Sequence, residues 1–466
     1  MQDDGHPPLP NPYIPNTDAD RALMLQRLGV DSVERLFDVL PAEHRDPELD
    51  VPPALAEADL VRLLQARASE NVAAKRPMFL GAGAYRRAIP AVTAHVASRS
   101  EFVTSYTPYQ PEISQGTLQA GFEYQSVVCE LTGLDVSNTG MYDAASATAE
   151  ACLLAARSTG RKAVALLEPV HPHIVDVVRA YAYGVGLRVD TVQAAGDLSE
   201  EHAGLVVQQP DFLGGIRDLE PLAAAAHEAG ALCIVVADPL ALGLLRSPGE
   251  SGADIVTGEG RDLAGPVAFG GPSLGLFAAR EAFLRQMPGR IVGRAKELHP
   301  PHATSGAPET PDAEQAPART GYVLTLQARE QFIRRERATS NFSTGQALIA
   351  LAFTVTVQAL GPRGLRESAE LCYQRAHDAA RRVASLPGYS VVDRGPWFQE
   401  FLVRGPVPAA VLGRALADRG ITGGLDVSDR PELEARDATL FCVTEATPPE
   451  EVDALVQALQ EIGAGS

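Results

Sequence analysis

Residues 231–258 read ALCIVVADPLALGLLRSPGESGADIVTG, and their pattern decides the fold. The runs ALCIVVAD (231–238) and ADIVTG (253–258) are too short for buried helices and are bounded by glycine or proline, so they read as strands buried on both faces. Three similar runs precede them: AVALLE (163–168), LRVDTVQ (187–193) and GLVVQQ (204–209). Between the runs, HIVDVVRAYAYGV and LEPLAAAAHEAG carry apolar residues at helical spacing, the latter stopped by Gly230. Strands alternating with helices predict a mostly parallel sheet covered on both sides, an α/β domain.

The flanks differ in character. Residues 1–60 are proline-rich with short amphipathic pieces and read as an arm, and 61–330 form the large domain. Within it, 295–320 hold five prolines and almost no large apolar residue, a surface insertion. Residues 331–466, with YSVVDRG, WFQEFLVRG, ATLFCVTEA and a final helix, read as a small α+β domain. The chain has 466 residues and a formal charge of −19, which repels phosphate backbones and anionic lipid and excludes generic nucleic-acid or membrane-surface binding. No run approaches the roughly 20 consecutive apolar residues of a membrane helix, and the N-terminus lacks signal-peptide features, so a cytoplasmic protein is expected. Five scattered cysteines with no metal-ligand spacing predict no metal site.

Asp238 leaves a buried strand at its carboxyl end, where such sheets bind ligands and where pyridoxal-phosphate enzymes place the carboxylate that pairs with the cofactor's ring nitrogen. A cap or turn residue would look the same. The stretch MYDAASATAE begins a helix whose N-terminus, near Asp143 and Ser146, could hold a phosphate, although Asp143 is equally a good N-cap and an acid there competes with an anion. The third requirement is a Schiff-base lysine some tens of residues beyond the aspartate. Only three of the 40 basic residues are lysine (Lys75, Lys162 and Lys296), and none lies in the expected segment 253–277. SYTPYQPEISQG (105–116) sets tyrosines, glutamines and a glutamate around two prolines, a rigid polar loop that either carries function or caps the domain.

The segments PYIPNTDADRALMLQRLGV, LFDVLP, FLGAGAY, EFVTSYTPYQPEISQGTLQAGFEYQ, DPLALGLL, GGPSLGLFAARE, MPGRIVG, LTLQAREQFIRRERATSN and CVTEATPPEEVDALV occur in order from about residue 11 to 460. Together they resemble subunit 1, the N-terminal half, of the split glycine dehydrogenase (decarboxylating), the P-protein of the glycine cleavage system. The resemblance implies the fold-type-I pyridoxal-phosphate-transferase architecture and an α2β2 assembly in which subunit 2 carries the lysine and the cofactor. Pyridoxal phosphate would then be bound by the partner and not by this chain. The reaction implied is decarboxylation of glycine with transfer of the aminomethyl group to the lipoyl arm of H-protein. Aligning PVAFGGP (266–272) with the glycine-rich run after the lysine of subunit 2 puts Arg261 at the lysine position, where a guanidinium cannot form the imine. Asp143, Ser146 and Asp238 would line a vestigial pocket. The loop residues Tyr106, Tyr109, Gln110 and Glu112 would reach across the interface into the partner's site, the tyrosines shaping it or donating hydrogen bonds and Glu112 orienting them.

The chain departs from the family pattern in several loops. Arg86, Arg87 and Ala88 stand where a histidine-containing run follows GAGAY; Asn138–Ala144 replace NAS-x-YDG; Pro210, Asp211 and Phe212 replace a PN-aromatic run; Phe332 and Arg261 close REQF and GEGR. The run 329–337 reads either as a solvated helix face or as a basic patch for subunit 2 or a lipoyl carrier. Two rival functions stay open: a non-catalytic scaffold or regulatory subunit of a related enzyme, and an independent pyridoxal-phosphate enzyme using an unusual lysine.

Overall fold

The structure is a computed structural model that describes residues 13–45, 47–72, 75–296, 320–430 and 437–465. The chain divides into two compact units, Met1–Val72 and Ala73–Ser466. The first holds α1 (Asp18–Leu28), capped by the reciprocal Thr17–Asp20 box and ended by Gly29 at φ 74°, and α2 (Glu57–Ser69). The division falls at Val72 and not at residue 60 because α2 runs unbroken through that position.

In the second unit α3 (Ala91–Ala97), α4 (Ser100–Val103) and α5 (Gln115–Thr132) lead into a seven-stranded sheet. Its strands are β1 (Val136–Ser137), β2 (Ala163–Leu167), β3 (Arg188–Val192), β4 (His202–Gln209), β5 (Leu232–Ala237), β6 (Ile255–Glu259) and β7 (Gly275–Ala279), in the order β1-β7-β6-β5-β4-β2-β3. All five strands expected from the apolar runs are present and mutually parallel. To them β7 and β1 add an antiparallel edge. Helices α6 (Ala144–Thr159), α7 (Pro172–Val185) and α8 (Leu219–Glu228) connect the strands. The unbroken apolar runs follow from two covered faces. Along β5, Cys233, Val235 and Ala237 point to one core, while Ile234 and Val236 point to the other, beneath α6 and α7.

Beyond the sheet, β8 (Ile291–Lys296) and β9 (Thr320–Thr325) form an antiparallel ribbon. The insertion assigned to 295–320 lies outside the described residues except for its ends, where Lys296 pairs with Thr320. The run 329–337 is not one helix. It breaks into 3-10 turns around α9 (Gln331–Arg334), and Arg329 turns inward to the carbonyls of Met287 and Gly289.

Next comes α10 (Ala347–Ala384), kinked where Gly361 takes φ 62° and Pro362 lacks an N–H. The helix is long and apolar enough to cross a membrane by length and composition alone, yet its residues Ala350, Phe353 and Val357 are spent on the core beneath the sheet. The chain ends in β10 (Ser390–Val391), β11 (Glu400–Arg404), α11 (Ala409–Asp418), β12 (Leu425–Asp426), β13 (Thr439–Cys442) and α12 (Pro449–Ala464). The four strands form an antiparallel sheet ordered β10-β11-β13-β12, with α11, α12 and the end of α10 packed on it.

Two backbone seams join this small sheet to the rest of the unit. Residues 78–79 bond to Thr422 and Cys442, which runs the GAGAY segment alongside β13. Gly214, in the turn after β4, accepts the Phe398 N–H at 3.0 Å just before β11. Gly214 has φ 88°, and a Cβ there would lie 2.2 Å from the Glu400 carbonyl oxygen. Gly214→Ala is therefore expected to cost at least ~2 kcal/mol, combining left-handed strain with this collision, and to lower the thermal unfolding midpoint clearly.

Candidate functional site

Because β4, β5 and β6 are parallel and in register, their carboxyl ends open together onto a cavity of about 440 Å³. Tyr85, Asp143, His171, Asp238, Glu259 and Arg261 line it. Three of the four sequence-derived pocket residues are thus brought together. Ser146 is one turn into α6 and completes the N-cap box with Asp143 instead.

Asp238 does not face an empty space. Its Oδ2 accepts from Arg87 Nη2 at 3.1 Å and from Gln399 Nε2 at 3.1 Å, and its Oδ1 accepts the Leu240 N–H at 2.8 Å. Arg87 also donates through Nη1 to Gln399 Oε1 at 2.8 Å and to Glu445 Oε2 at 3.2 Å. Its side chain is only 1% exposed. Burial alone would push its pKa down, but Asp238, the Cys372 sulfur and Glu445 outweigh that and hold the guanidinium charged.

The N-terminus of α6 is also taken. Asp143 accepts the Ser146 N–H at 2.7 Å. Glu259, at the end of β6, accepts from the backbone N–H groups of Ala144 at 3.2 Å, Arg261 at 3.0 Å and Leu274 at 2.8 Å. Burial raises the Glu259 pKa, against those three donors. Two of the α6 donors that could bind an anion, the Ala144 and Ser146 N–H groups, therefore already serve carboxylates.

Arg261 follows directly, bonded to the Asp262 carboxylate and, at 3.1 Å, to the Gly83 carbonyl. Burial lifts Asp262 to about 7 in spite of Arg261 and Arg87. Glu400 is likewise pushed to about 7 by burial, although it accepts from the Ala82 N–H at 2.6 Å and the Tyr85 hydroxyl at 2.8 Å. His171 is kept neutral, its pKa lowered by burial. Its Nδ1 accepts the His173 N–H at 3.1 Å, which leaves Nε2–H to donate to the Ala82 carbonyl at 2.9 Å.

The tyrosine loop lies elsewhere and lines no wall of this cavity. Tyr106 is 84% exposed and Tyr109 47%, and the side chains of Gln110 and Glu112 are exposed. Tyr106 borders a second cavity of about 430 Å³ together with Pro108, Arg290 and Gln346. The expected orienting role of Glu112 has no bond behind it: none joins Glu112 to either tyrosine. The residue that holds Tyr109 is Arg290, whose Nη2 donates to the phenol oxygen at 2.9 Å.

The strand order, the aspartate ending β5 and the cavity at the carboxyl edge define a chain of the fold-type-I pyridoxal-phosphate enzyme architecture. Sphingosine-1-phosphate lyase from Burkholderia pseudomallei superposes with a TM-score of 0.60 over 90% of this chain and 93% of its own at 16% identity, a likeness of fold. The chain belongs to the glycine cleavage system P-protein family, whose profile matches residues 11–459. The probable glycine dehydrogenase (decarboxylating) subunit 1 of Thermomicrobium roseum is 46% identical over 462 residues, covering 96% of this chain and 99% of that protein. Its counterpart in Moorella thermoacetica is 45% identical over 461 residues, covering 97% and 99%. A crystal structure of glycine decarboxylase (P-protein) of the glycine cleavage system, in inhibitor-bound form, matches with a TM-score of 0.87 at 42% identity, covering 97% of this chain and 99% of that one.

The cavity of this chain does not fit the cofactor of its fold. A ring nitrogen would have to displace Arg87 from Asp238, a phosphate would meet Glu259 and Asp143, and Arg261 offers no amine for an imine. Sequence reasoning did not find Arg87, Glu259, Gln399, Glu400 or Glu445 as members of this site. The only local signals were the GAGAYRR and VTEA motifs, 357 residues apart between Ala88 and Glu445, with no pattern to pair them.

Arg87→Ala would leave Asp238 and Glu445 without their shared cation and is expected to cost about 3–5 kcal/mol in chemical denaturation. Glu400 predicts a pH dependence of fixed sign. Its folded pKa, about 7, lies above the ordinary 4.5, so its contribution to stability is fully present below pH 4.5 and lost as pH rises through 7. Across pH 5–8 the thermal midpoint of Glu400→Gln should therefore fall less than that of the wild type.

Proposed function

We propose that this chain is subunit 1 of a heteromeric glycine decarboxylase. In this reading a lysine-bearing subunit 2 binds pyridoxal phosphate, which supplies the electron sink for loss of carbon dioxide from glycine, and lipoylated H-protein receives the aminomethyl group. The observation that carries it is the cavity's lining: at the points where the fold would hold the cofactor's groups, the chain sets side chains of its own. The chain's part is then positioning at a site shared with the partner in a cytoplasmic α2β2 assembly.

The exposed loop Tyr106–Glu112 is the part available for that purpose. Its prolines, Pro108 and Pro111, fix a backbone that is neither helix nor strand up to the turn at Pro111–Ile113, so the four polar side chains are presented at little entropic cost. Tyr106 and Tyr109 would bound the partner's cofactor pocket and exclude water from it, while Gln110 and Glu112 offer an amide and a carboxylate to the substrate or to the partner's surface.

The test is glycine–bicarbonate exchange with lipoylated H-protein, comparing this chain, subunit 2 and the mixture. Turnover is expected only in the mixture, and borohydride in the presence of pyridoxal phosphate should label subunit 2 alone. Tyr106→Phe or Glu112→Gln should lower turnover of the mixture about 10- to 100-fold with assembly intact. Unchanged turnover in both, with the subunits still co-sedimenting, would replace the shared site by a scaffold role.

A further inference from the structure

Three segments that the cavity does not use converge on one side chain. The turn Met287–Arg290, which opens β8, has every one of its carbonyls held from outside. Arg329 takes those of Met287 and Gly289, the latter at 2.7 Å. Asn138 Nδ2 donates to that of Pro288 at 3.1 Å, and the Thr139 N–H donates to that of Arg290 at 2.9 Å. Gly289 takes φ 76°, and a Cβ there would sit 3.0 Å from Asn138 Nδ2, so the turn admits no bulkier residue.

What this rigid turn delivers is the Arg290 guanidinium. It is 14% exposed, ion-paired with Glu330 at 3.6 Å, and hydrogen-bonded through Nη2 to Tyr109 Oη at 2.9 Å. Its charge also lies 5.3 Å from the centre of the Tyr109 ring. Phe332, two residues after Glu330, packs its ring edge-to-face on Tyr109 at 6.1 Å. Without these contacts a tyrosine 47% exposed on a loop would sample several rotamers.

We infer that Arg290 is a positioning residue for the glycine decarboxylase reaction: carried by a turn whose carbonyls Asn138, Thr139 and Arg329 hold, it fixes the Tyr109 phenol in the orientation it presents to the shared site. The inference rests on the shared-site reading. It also gives the segments REQF (329–332) and MPGR (287–290) a joint role that neither their charge nor their spacing suggested. Lysine cannot replace the arginine, because one ammonium does not span the phenol and Glu330 in the planar fork geometry.

The experiment uses the assembled complex with subunit 2 and reads glycine–bicarbonate exchange. Tyr109→Phe and Arg290→Lys are each expected to lower kcat about 10-fold, with the affinity between subunits and the thermal midpoint of Arg290→Lys unchanged. The double variant should lose no more than Tyr109→Phe alone, because Arg290 acts through that hydroxyl. Multiplicative losses, or full turnover of Arg290→Lys beside an impaired Tyr109→Phe, would overturn the inference and leave the shared site standing. Full turnover of Tyr109→Phe would overturn the shared-site role of Tyr109 itself. Phe332→Leu, which spares the backbone cradle, keeps the test open should Arg290 variants fail to assemble. It should lower kcat about threefold in the wild-type background and not at all beside Tyr109→Phe, and equal losses in both backgrounds would count against the inference.

Discussion

A carboxylate at the carboxyl end of a buried strand has to have a cation. Asp238 occupies that position with a side chain only 14% exposed, in surroundings where an unpaired charge costs several kcal/mol. A chain of this fold meets the demand with a bound ligand or with a residue of its own. Here the residue is Arg87, and much of the architecture around the cavity follows from where it comes from. It lies eight residues beyond Phe79, whose backbone bonds to Thr422 and Cys442, and it reaches Asp238 on the large sheet and Glu445 beyond β13 with one guanidinium. The charge that neutralises the aspartate thereby ties the two sheets together.

Glu259 applies the same logic to the opposite charge. The first N–H groups of α6 are orphan donors with a positive end of the helix dipole behind them, and they need an acceptor. Asp143 and Glu259 provide it from within the chain, and Glu259 at the same time fastens the Arg261 and Leu274 N–H groups. The cavity walls are thus hydrogen-bonded to one another at the points where a phosphorylated cationic cofactor would bind. The residual openness near Tyr85 and His171 comes with two carboxyls, Asp262 and Glu400, that burial lifts to about 7.

The large sheet was legible because four of its five parallel strands, β2, β4, β5 and β6, are buried on both faces and hence written as continuous apolar runs, while β3, at the edge, leaves Arg188 and Thr191 exposed. The antiparallel edge was not: β1 is two residues long, and β7 follows a glycine-rich loop whose composition masks it. The α10 kink was visible only as Gly361–Pro362, and the run 329–337 misled because its alternating charges fit a solvated helix, whereas Arg329 is spent on the carbonyls of a distant turn. In the site, Asp238, Asp143 and Arg261 could be found because each sits at a fixed offset from a recognisable element. Arg87 and Glu400 could not. Their partners lie 151 and 315 residues away for Asp238 and Tyr85, and nothing in one sequence marks which distant acid a given arginine or tyrosine meets.

The cavity and the tyrosine loop answer different physical problems and share no residue. Around Asp238 most strong donors and acceptors meet one another within the chain, although the Arg87 and Arg261 Nε atoms have no hydrogen-bond partner among the described residues. The loop from Tyr106 to Glu112 differs: a proline-stiffened backbone with polar side chains left facing outward and a single side chain, that of Tyr109, clamped by the partly covered Arg290. Held by that cation, the Tyr109 hydroxyl meets no further hydrogen-bond partner among the described residues. In the shared-site reading we propose, an internally paired cavity and a clamped loop are complementary: the first would keep the chain from competing for the cofactor, and the second would fit it to a cofactor held by another subunit.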